Sequence, residues 1–246
     1  FKLLKQNVID ETLSILLTTS PDALNKLTTT IDASTPTVVM TEELKALTAG
    51  KYFSLGLEDF YIWEATTATK TLRCQRAMHG STAAAHTAGD LALVSPKFSP
   101  FQVMTAINNE LRSLPAQGIF AVATLELTYL SSRNSYDLTG VTSIDRVLDV
   151  SYDEPGSTQQ WPSLRSWKLR RAAETSDFAS GYALTLFESA YSGRQLRVTY
   201  SHGFNTLFAA LSDTLTTIGL QDSAADILSL GAALRLSGYR ELARNL

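Results

Sequence analysis

The chain has 246 residues, with 21 basic and 24 acidic side chains and a formal net charge of −3. That length forms one large domain or two small ones, and a hydrophobic content of 44% is that of a globular protein. The acidic balance argues against a protein that grips duplex nucleic acid, because such proteins carry a basic excess. A single cysteine, Cys74, excludes an internal disulfide and an all-cysteine metal site. No apolar run predicts a membrane-spanning helix, and the first residues do not lead into a signal-peptide core.

The first predicted element is a helix over residues 5–18. Its apolar residues recur at helical spacing with polar residues between them, and Pro21 prevents the helix from continuing. Between residues 21 and 100 the sequence changes to short segments rich in Thr, Val, Ile and aromatic residues, separated by Pro36 and Gly50. Short, evenly spaced segments of this kind predict a β insertion that forms a small sheet or barrel.

A second helix is predicted over residues 101–114, where Pro100 suits the start of the first turn. Strand patterns return over residues 116–205 and predict an antiparallel unit, which we expect to be a sandwich. Helical spacing reappears in two C-terminal segments, at 207–220 and 223–246, with small residues between the apolar ones.

Together these patterns predict an α+β fold. Helical core or bundle elements carry a β insertion (a small sheet or barrel), and a second antiparallel β unit and C-terminal helices follow. The predicted division is helical elements at 1–20 and 101–115, a β insertion domain at 21–100, an antiparallel β domain at 116–205 and a C-terminal helical segment at 206–246.

The histidines are the first place to look for chemistry. Ser81 and His86 could form a nucleophile and base, but no G-x-S-x-G frame is present, and a turn with satisfied imidazoles is the better interpretation. A zinc site of Cys74, His79 and His86 is conceivable, yet its spacing matches no structural zinc pattern. Glycine-rich phosphate-binding motifs do not occur in the sequence. We therefore predict no catalytic, metal-binding or cofactor-binding residues.

Charged residues cluster in places without a recognisable catalytic frame. Adjacent acids such as Glu58-Asp59 lie in turn-like surroundings, and we interpret them as a solvated surface. Arg235, Arg240 and Arg244 lie near the end of the last predicted helix, where cations suit the negative end of the helix dipole. A docking helix is an open alternative for that cluster, because arginine is enriched at protein interfaces.

A further basic cluster contains two tryptophans, Trp161 and Trp167. Basic and aromatic residues together suggest a nucleic-acid or phosphate patch. Alternation along a strand instead favours tryptophans packed inward and cations facing solvent or a neighbouring subunit, and we prefer this interpretation. The basic members of the cluster are Arg165, Lys168, Arg170 and Arg171.

Residues 72–89 carry the most informative pattern in the chain. The segment reads LRCQRAMHGSTAAAHTAG, and it resembles a segment common in the virion proteins of tailed bacteriophages. In those proteins a strand ends in Arg-Gly and is followed by two variable residues, Gly-Thr, a run of alanines, His, two more residues and Gly. Here Ala77 stands in place of the first glycine, and Ser81 intervenes before the threonine. The matching positions are Arg76, Gly80, Thr82, Ala83 to Ala85, His86 and Gly89.

The order of the predicted parts resembles that of head-to-tail connector (adaptor) proteins of long-tailed, siphophage-type bacteriophages. A first helix, a β insertion that ends in the motif, a second helix, a sheet region and a helical tail cover most of the chain. The resemblance implies a structural virion protein of the neck, not an enzyme, with no cofactor. It also implies assembly in the bacterial host cytoplasm as a homo-oligomeric ring, usually a dodecamer, beneath the portal.

The resemblance also implies the partners of such a ring. Such a ring extends the DNA channel, joins head to tail, and contacts the portal and the stopper or tail proteins. No membrane is expected among its partners. Double-stranded DNA passes through it without sequence-specific binding, and a net negative ring suits this because each neutralised phosphate adds binding free energy. The helical tail of that family often reaches the portal, which makes Arg235, Tyr239, Arg240 and Arg244 the candidate portal contacts.

Three alternatives stay open. A phage tail or baseplate structural protein could carry the same motif and would differ in copy number and position in the virion. A host-surface carbohydrate-binding module is suggested by the β-rich middle of the chain and its tryptophans, Trp63, Trp161 and Trp167. A hydrolase that uses Ser81 and His86 has the least support.

Overall fold

The structure, a computed structural model, describes residues 5–17, 23–154, 156, 161–204, 207–209, 213–220 and 224–244. Within these residues the helices are α1 (Lys5–Leu16), α2 (Pro100–Ser113) and α3 (Ala225–Arg244). The strands are β1 (Ala23–Lys26), β2 (Thr37–Val39), β3 (Tyr52–Leu55), β4 (Glu58–Thr66), β5 (Thr71–Gln75), β6 (Leu91–Val94), β7 (Ala121–Thr128), β8 (Ser135–Asp137), β9 (Arg146–Tyr152), β10 (Trp167–Arg171), β11 (Tyr182–Leu186) and β12 (Gln195–His202).

The predicted α+β fold with a helical core is wrong, because the described part of the chain is mainly β. Its twelve strands form three antiparallel sheets, and many of its largest fully buried side chains, such as Phe53, Phe60 and Ile62, come from strands. The helix predicted over 207–220 is reduced, among the described residues of that range, to a 3₁₀ turn at Leu215–Ile218. Apolar spacing predicts where a helix lies, but not how much of the core it fills.

The chain folds into two compact units. The first joins residues 1–111 with residues 206–246, and the second comprises residues 112–205. The strands β1 to β6 therefore belong to the first unit together with α1, α3 and nearly all of α2, and β7 to β12 belong to the second.

The six strands of the first unit form one antiparallel sheet in the order β1-β6-β3-β4-β5-β2. The sheet curls until its outer strands meet, since Leu27 and Met40 form a bridge just beyond the ends of β1 and β2. Phe53 and Phe60 stack inside it with ring centroids 4.7 Å apart. The motif segment lies between β5 and β6 of this sheet.

Side-chain hydrogen bonds fix α2 at its start and to a later segment of the first unit. Ser99 starts α2 with a capping box: its hydroxyl accepts the Gln102 N–H at 3.2 Å, and the Gln102 side chain accepts the Ser99 N–H at 3.3 Å. The buried amide of Asn108 bonds both the N–H and the carbonyl of Phe208, each at 3.0 Å. Both α1 and α2 contact α3.

The second unit contains two three-stranded antiparallel sheets, β10-β11-β8 and β7-β12-β9. Tyr136 and Leu184 from the first of these sheets share one hydrophobic core with Val150 and Val198 from the second. The Tyr136 hydroxyl donates to the Leu130 carbonyl at 2.9 Å, which satisfies the polar end of a buried ring. Two sheets that share their inner faces in this way form a small sandwich.

Candidate functional site

The motif segment forms a loop with left-handed backbone at several positions. After Arg76 the chain makes a 3₁₀ turn over Met78–Gly80, and Ala77 directly before the turn has a φ of 55° and a ψ of 43°. Ala77 occupies the place of the first glycine of the phage segment and adopts the backbone that a glycine would adopt. A residue that has a Cβ adopts this backbone at a cost of about 1–2 kcal/mol.

Glu58, the first residue of β4, lies outside the motif, but its carboxylate binds the side chains that hold the motif loop in place. Its buried carboxylate forms a bidentate ion pair with Arg76, with Nη2 at 2.7 Å and Nε at 2.9 Å. His86 Nε2 lies 2.9 Å from the same carboxylate, and the Ala84 N–H donates to it at 3.0 Å. Burial by itself raises the pKa of Glu58, but the hydrogen bonds from His86 and Arg76 outweigh it and lower the pKa from 4.5 to about 2. The two ends of the loop are thus held on one charged carboxylate.

Arg76 donates its remaining hydrogen bonds to backbone carbonyls. Its Nη1 bonds the carbonyls of Asp32 and Thr35, and its Nη2 bonds the carbonyl of Ala84. Hydroxyl and backbone hydrogen bonds to the Asp32 carboxyl, those from Thr35 foremost, fix the turn at Asp32. The same hydrogen bonds lower the pKa of this carboxyl to about 2. The guanidinium also lies over the Phe60 ring, 5.1 Å from its centroid. Arg76 therefore links three segments that are far apart in the sequence.

Asp59, the neighbour of Glu58, holds the other side of the loop. The hydroxyls of Ser54 and Ser99 donate to its buried carboxylate at 2.7 Å and 2.9 Å, and His79 Nδ1 lies 3.1 Å from it. Its own N–H donates to the Ser81 hydroxyl at 3.0 Å. Because Ser99 also caps α2, Asp59 joins the sheet, the motif loop and the start of a helix.

Ser81 and His86 have separate partners in this network. The Ser81 hydroxyl donates to the Met78 carbonyl at 2.8 Å and accepts the Asp59 N–H, whereas His86 Nε2 faces Glu58. Both side chains fix the loop, and the geometry does not pair them as the nucleophile and base of a hydrolase.

The residues of the conceivable zinc site also have other environments. Cys74 is buried on β5, and burial raises the pKa of its thiol to about 12, which disfavours a thiolate ligand. His79 and His86 face different carboxylates. Over the described ranges of the chain, no group of three or more His, Cys, Asp and Glu side chains is arranged to hold a metal ion.

The prediction that Glu58-Asp59 belongs to a solvated surface is wrong. Both carboxylates are buried, and their hydrogen-bond partners replace the water that they lose. The sequence contains one signal for this, since the pair directly precedes the aromatic and apolar residues Phe60-Tyr61-Ile62 of a strand. Nothing local shows that the basic partners, 18 to 28 residues later, return to the same place.

The other predicted motif positions shape the loop rather than anchor it. Gly80 and Gly89 have φ values of 85° and 94°, a backbone that favours glycine. Thr82 is exposed to solvent. The structure therefore brings two of the five predicted motif residues, Arg76 and His86, onto one buried group, with Gly80 and Gly89 at turns.

The four predicted portal contacts lie on α3. Arg235 donates to Glu110 of α2 through its Nε at 2.5 Å and is about one-third exposed. The side chains of Tyr239, Arg240 and Arg244 lie outside the described residues, although the helix backbone runs through these positions. Arg235 therefore has an internal role that its position in the sequence did not indicate.

The basic cluster with tryptophans lies on β10 and beside it. Trp167 is partly buried and packs against the sandwich core, as predicted, while Lys168 and Arg170 are exposed. Trp161 differs from the prediction: its ring faces the guanidinium of Arg197, whose carbon lies 3.8 Å from the ring centroid.

No protein-family model and no curated protein matches the chain. A helix long and apolar enough to cross a membrane is not found in the ranges that the structure describes. A functional proposal therefore depends on the geometry of the motif loop and on the resemblance of its sequence.

Proposed function

We propose that the protein is a structural virion protein of the phage neck, a head-to-tail adaptor. In this role it forms a ring below the portal, extends the DNA channel and joins head to tail. The observation that carries the proposal is the motif loop, whose sequence resembles a phage virion segment. The polar side chains of this loop bond one another and the backbone, which suits a rigid junction in an assembly rather than a reaction site.

Exposed apolar side chains support a role in assembly. Trp63 and Leu234 in the first unit, and Val122 and Phe187 in the second, are each more than 60% exposed. A subunit of a closed ring needs two different complementary surfaces, and further surfaces for the proteins above and below it. Several separate apolar sites on one chain meet that requirement.

The charge of the chain supports a channel through which DNA slides. Each copy carries a net charge of −3, so a ring of such copies is net negative. Walls that do not neutralise phosphates do not hold the duplex, because the release of counterions is what favours binding.

The mainly β fold favours a second candidate, a structural protein of the phage tail or baseplate. A helical core is predicted together with the adaptor resemblance, whereas the described residues are mainly β. The two candidates differ in copy number and in their neighbours within the virion.

Light scattering of the purified full chain, first alone and then with purified portal, tests the proposal. We expect a ring of many copies, or a monomer that assembles only on the portal. A monomer that ignores the portal would overturn the neck assignment. Binding to purified tails in the same assay would favour the second candidate, and saturable glycan binding would favour a host-surface module.

A further inference from the structure

The helix α3 exposes its large apolar side chains. Ile227, Leu230 and Leu234 are 42%, 58% and 74% exposed. Their spacing of three and four residues places them on one side of the helix, and we call them the outer stripe. The opposite side is buried and consists mostly of small residues: Ala225, Leu228, Ser229, Ala232 and Ala233. A surface helix usually turns its large apolar residues inward, so this reversed arrangement marks a contact surface.

Among the described residues, the internal contacts of α3 are made by residues other than the outer stripe. At Gly231 an added Cβ would lie 2.6 Å from Glu110 Cδ, so the Glu110 side chain of α2 lies against the backbone of α3. Arg235 of α3 forms an ion pair with the same Glu110 side chain. The missing side chain at Gly231 leaves room for Glu110, and the outer stripe is not part of the buried core of the described residues.

A groove of about 430 Å³ lies between α2 and α3. Leu236 is the α3 residue in its described lining. With 3.6 residues per turn, it lies about 150° around the helix from the centre of the outer stripe. The groove therefore lies on a different side of α3 from the stripe. The lining of this α2–α3 groove includes Phe98, Phe101, Thr105 and Leu236, with the basic side chains of Lys97 and His79.

The outer stripe and the α2–α3 groove are complementary in character. The stripe offers apolar side chains next to the exposed carboxylate of Asp226. The groove offers phenylalanine rings next to Lys97 and to His79, whose ring is oriented by Asp59. Apolar contact together with the opposite charges of Asp226 and Lys97 favours one register of docking over others.

We propose that the outer stripe of one copy docks into the α2–α3 groove of the next copy. A contact between two different surfaces of a subunit repeats head to tail, and it closes into a ring when the rotation allows. The inference rests on the proposed function, because it supplies the subunit interface of the adaptor ring.

Cysteine cross-linking of the full chain tests this contact, with and without purified portal. Leu230→Cys places a thiol on the outer stripe and Thr105→Cys places one in the groove, both at exposed positions, while the native Cys74 is buried. Under oxidising conditions we expect each single variant to remain uncrosslinked, their equimolar mixture to form covalent dimers, and the double variant to form a ladder of oligomers. Covalent dimers of Leu230→Cys alone would show pairing of two stripes and would overturn the proposal.

Charged substitutions provide an independent test of the same interface. Leu234→Asp and Thr105→Glu should each weaken self-association at least tenfold, and a mixture of the two variants should form a dimer through the one intact interface. Leu24→Asp is the matched control, because Leu24 is 57% exposed on β1 of the same unit. It should assemble as the wild type does.

The outcomes separate this interface from the proposed function. If both variants assemble on the portal as the wild type does, the interface is overturned and the neck assignment stands. If only Leu234→Asp loses portal binding while self-association is unchanged, the stripe is a portal contact and the interface is likewise overturned. If the wild type neither self-associates nor binds portal and the cysteine mixture does not cross-link, both proposals fail.

Discussion

Two adjacent carboxylates at the start of β4 hold the motif loop in place. Glu58 bonds Arg76 and His86, and Asp59 bonds His79 and the serine that caps α2. A buried carboxylate is tolerated only when charged or hydrogen-bonded partners replace its water, and removal of one partner leaves the others uncompensated. The loop should therefore respond strongly to single substitutions at these buried groups and weakly to substitutions at exposed ones.

Glu58→Gln is expected to lower the free energy of unfolding by about 3 kcal/mol, because it leaves the buried guanidinium of Arg76 without its counter-charge. Urea unfolding measures the change. The matched control is Glu64→Gln on the same strand, where Glu64 and Arg73 lie 3.6 Å apart and both side chains are more than 60% exposed. That control should change stability by less than about 0.5 kcal/mol. Equal effects of the two substitutions would contradict the importance of the buried pair.

Stability should fall in acid through Glu58. The pKa of this carboxyl is 4.5 when unperturbed and about 2 in the folded chain. A group with a lowered folded pKa stabilises the fold above its unfolded pKa, so its contribution is lost as the pH falls from about 4.5 to about 2. Urea midpoints measured across this interval should fall more steeply for the wild type than for Glu58→Gln. Asp32 also has a pKa lowered to about 2, so the urea midpoint of the variant still falls with pH, but less steeply. Identical slopes would refute the assignment.

Ala77→Gly should stabilise the protein by about 1 kcal/mol, because it removes the strain of a Cβ at a φ of 55°. Thermal unfolding would show this as a rise in Tm. Ala85→Gly in the same loop is the control, since Ala85 has no positive φ and glycine there only adds freedom to the unfolded chain. A loss of stability in Ala77→Gly would mean that the turn does not hold the left-handed backbone.

At the scale of elements, α3 joins two contacts of different kinds. Its small side packs on α1, its Gly231 meets the Glu110 side chain of α2, and its outer stripe is exposed. The Glu110 side chain fits against α3 because Gly231 has no side chain. Substitution there should therefore reverse the usual preference of a helix for alanine over glycine.

Gly231→Ala is expected to lower the free energy of unfolding by about 1–2 kcal/mol, because the added methyl group displaces Glu110 and opens its ion pair with Arg235. Gly238→Ala on the same helix meets no atom within 4 Å. It should raise stability by up to about 1 kcal/mol through helix propensity. Parallel urea titrations compare the two variants, and a gain in both would argue against the close contact with α2.

At the scale of the whole molecule, the chain returns to its first unit after completing the second. Residues 206–246 belong with residues 1–111, and α3 is the last described element of that unit. The final turns of α3 carry the arginines for which the adaptor resemblance implies portal contact. The proposed role therefore predicts that these turns serve attachment more than folding.

Deletion from Tyr239 onward should leave the fold of both units intact and abolish binding to purified portal. Among the α3 side chains that the structure describes, the buried ones all precede this position, up to Ala233, so the described core keeps its contacts. Far-UV circular dichroism and Tm check the fold, and co-sedimentation with portal checks attachment. Arg235→Ala is the companion variant, which should affect stability first because Arg235 pairs with Glu110. Normal portal binding by the deletion variant would contradict this role for α3.

The sequence by itself determined where most local elements lie and which segment is distinctive. Helical spacing located α2 over Pro100–Ser113 within one residue of the predicted bounds, and it located most of α3. The motif segment at residues 72–89 also marked a loop that buried polar side chains hold in place. These results follow from patterns that act over a few residues, where spacing, turns and caps leave a direct trace.

Only the tertiary structure decided what fills the core and what holds the loop. Glu58 and Arg76 are 18 residues apart, and Glu110 and Arg235 are 125 residues apart, so no local pattern pairs them. The same acidic dipeptide is compatible with a solvated turn or a buried anchor, and its partners decide between the two. The balance of helix and sheet in the core depends likewise on which faces meet after folding, because an apolar period specifies a face but not its neighbour.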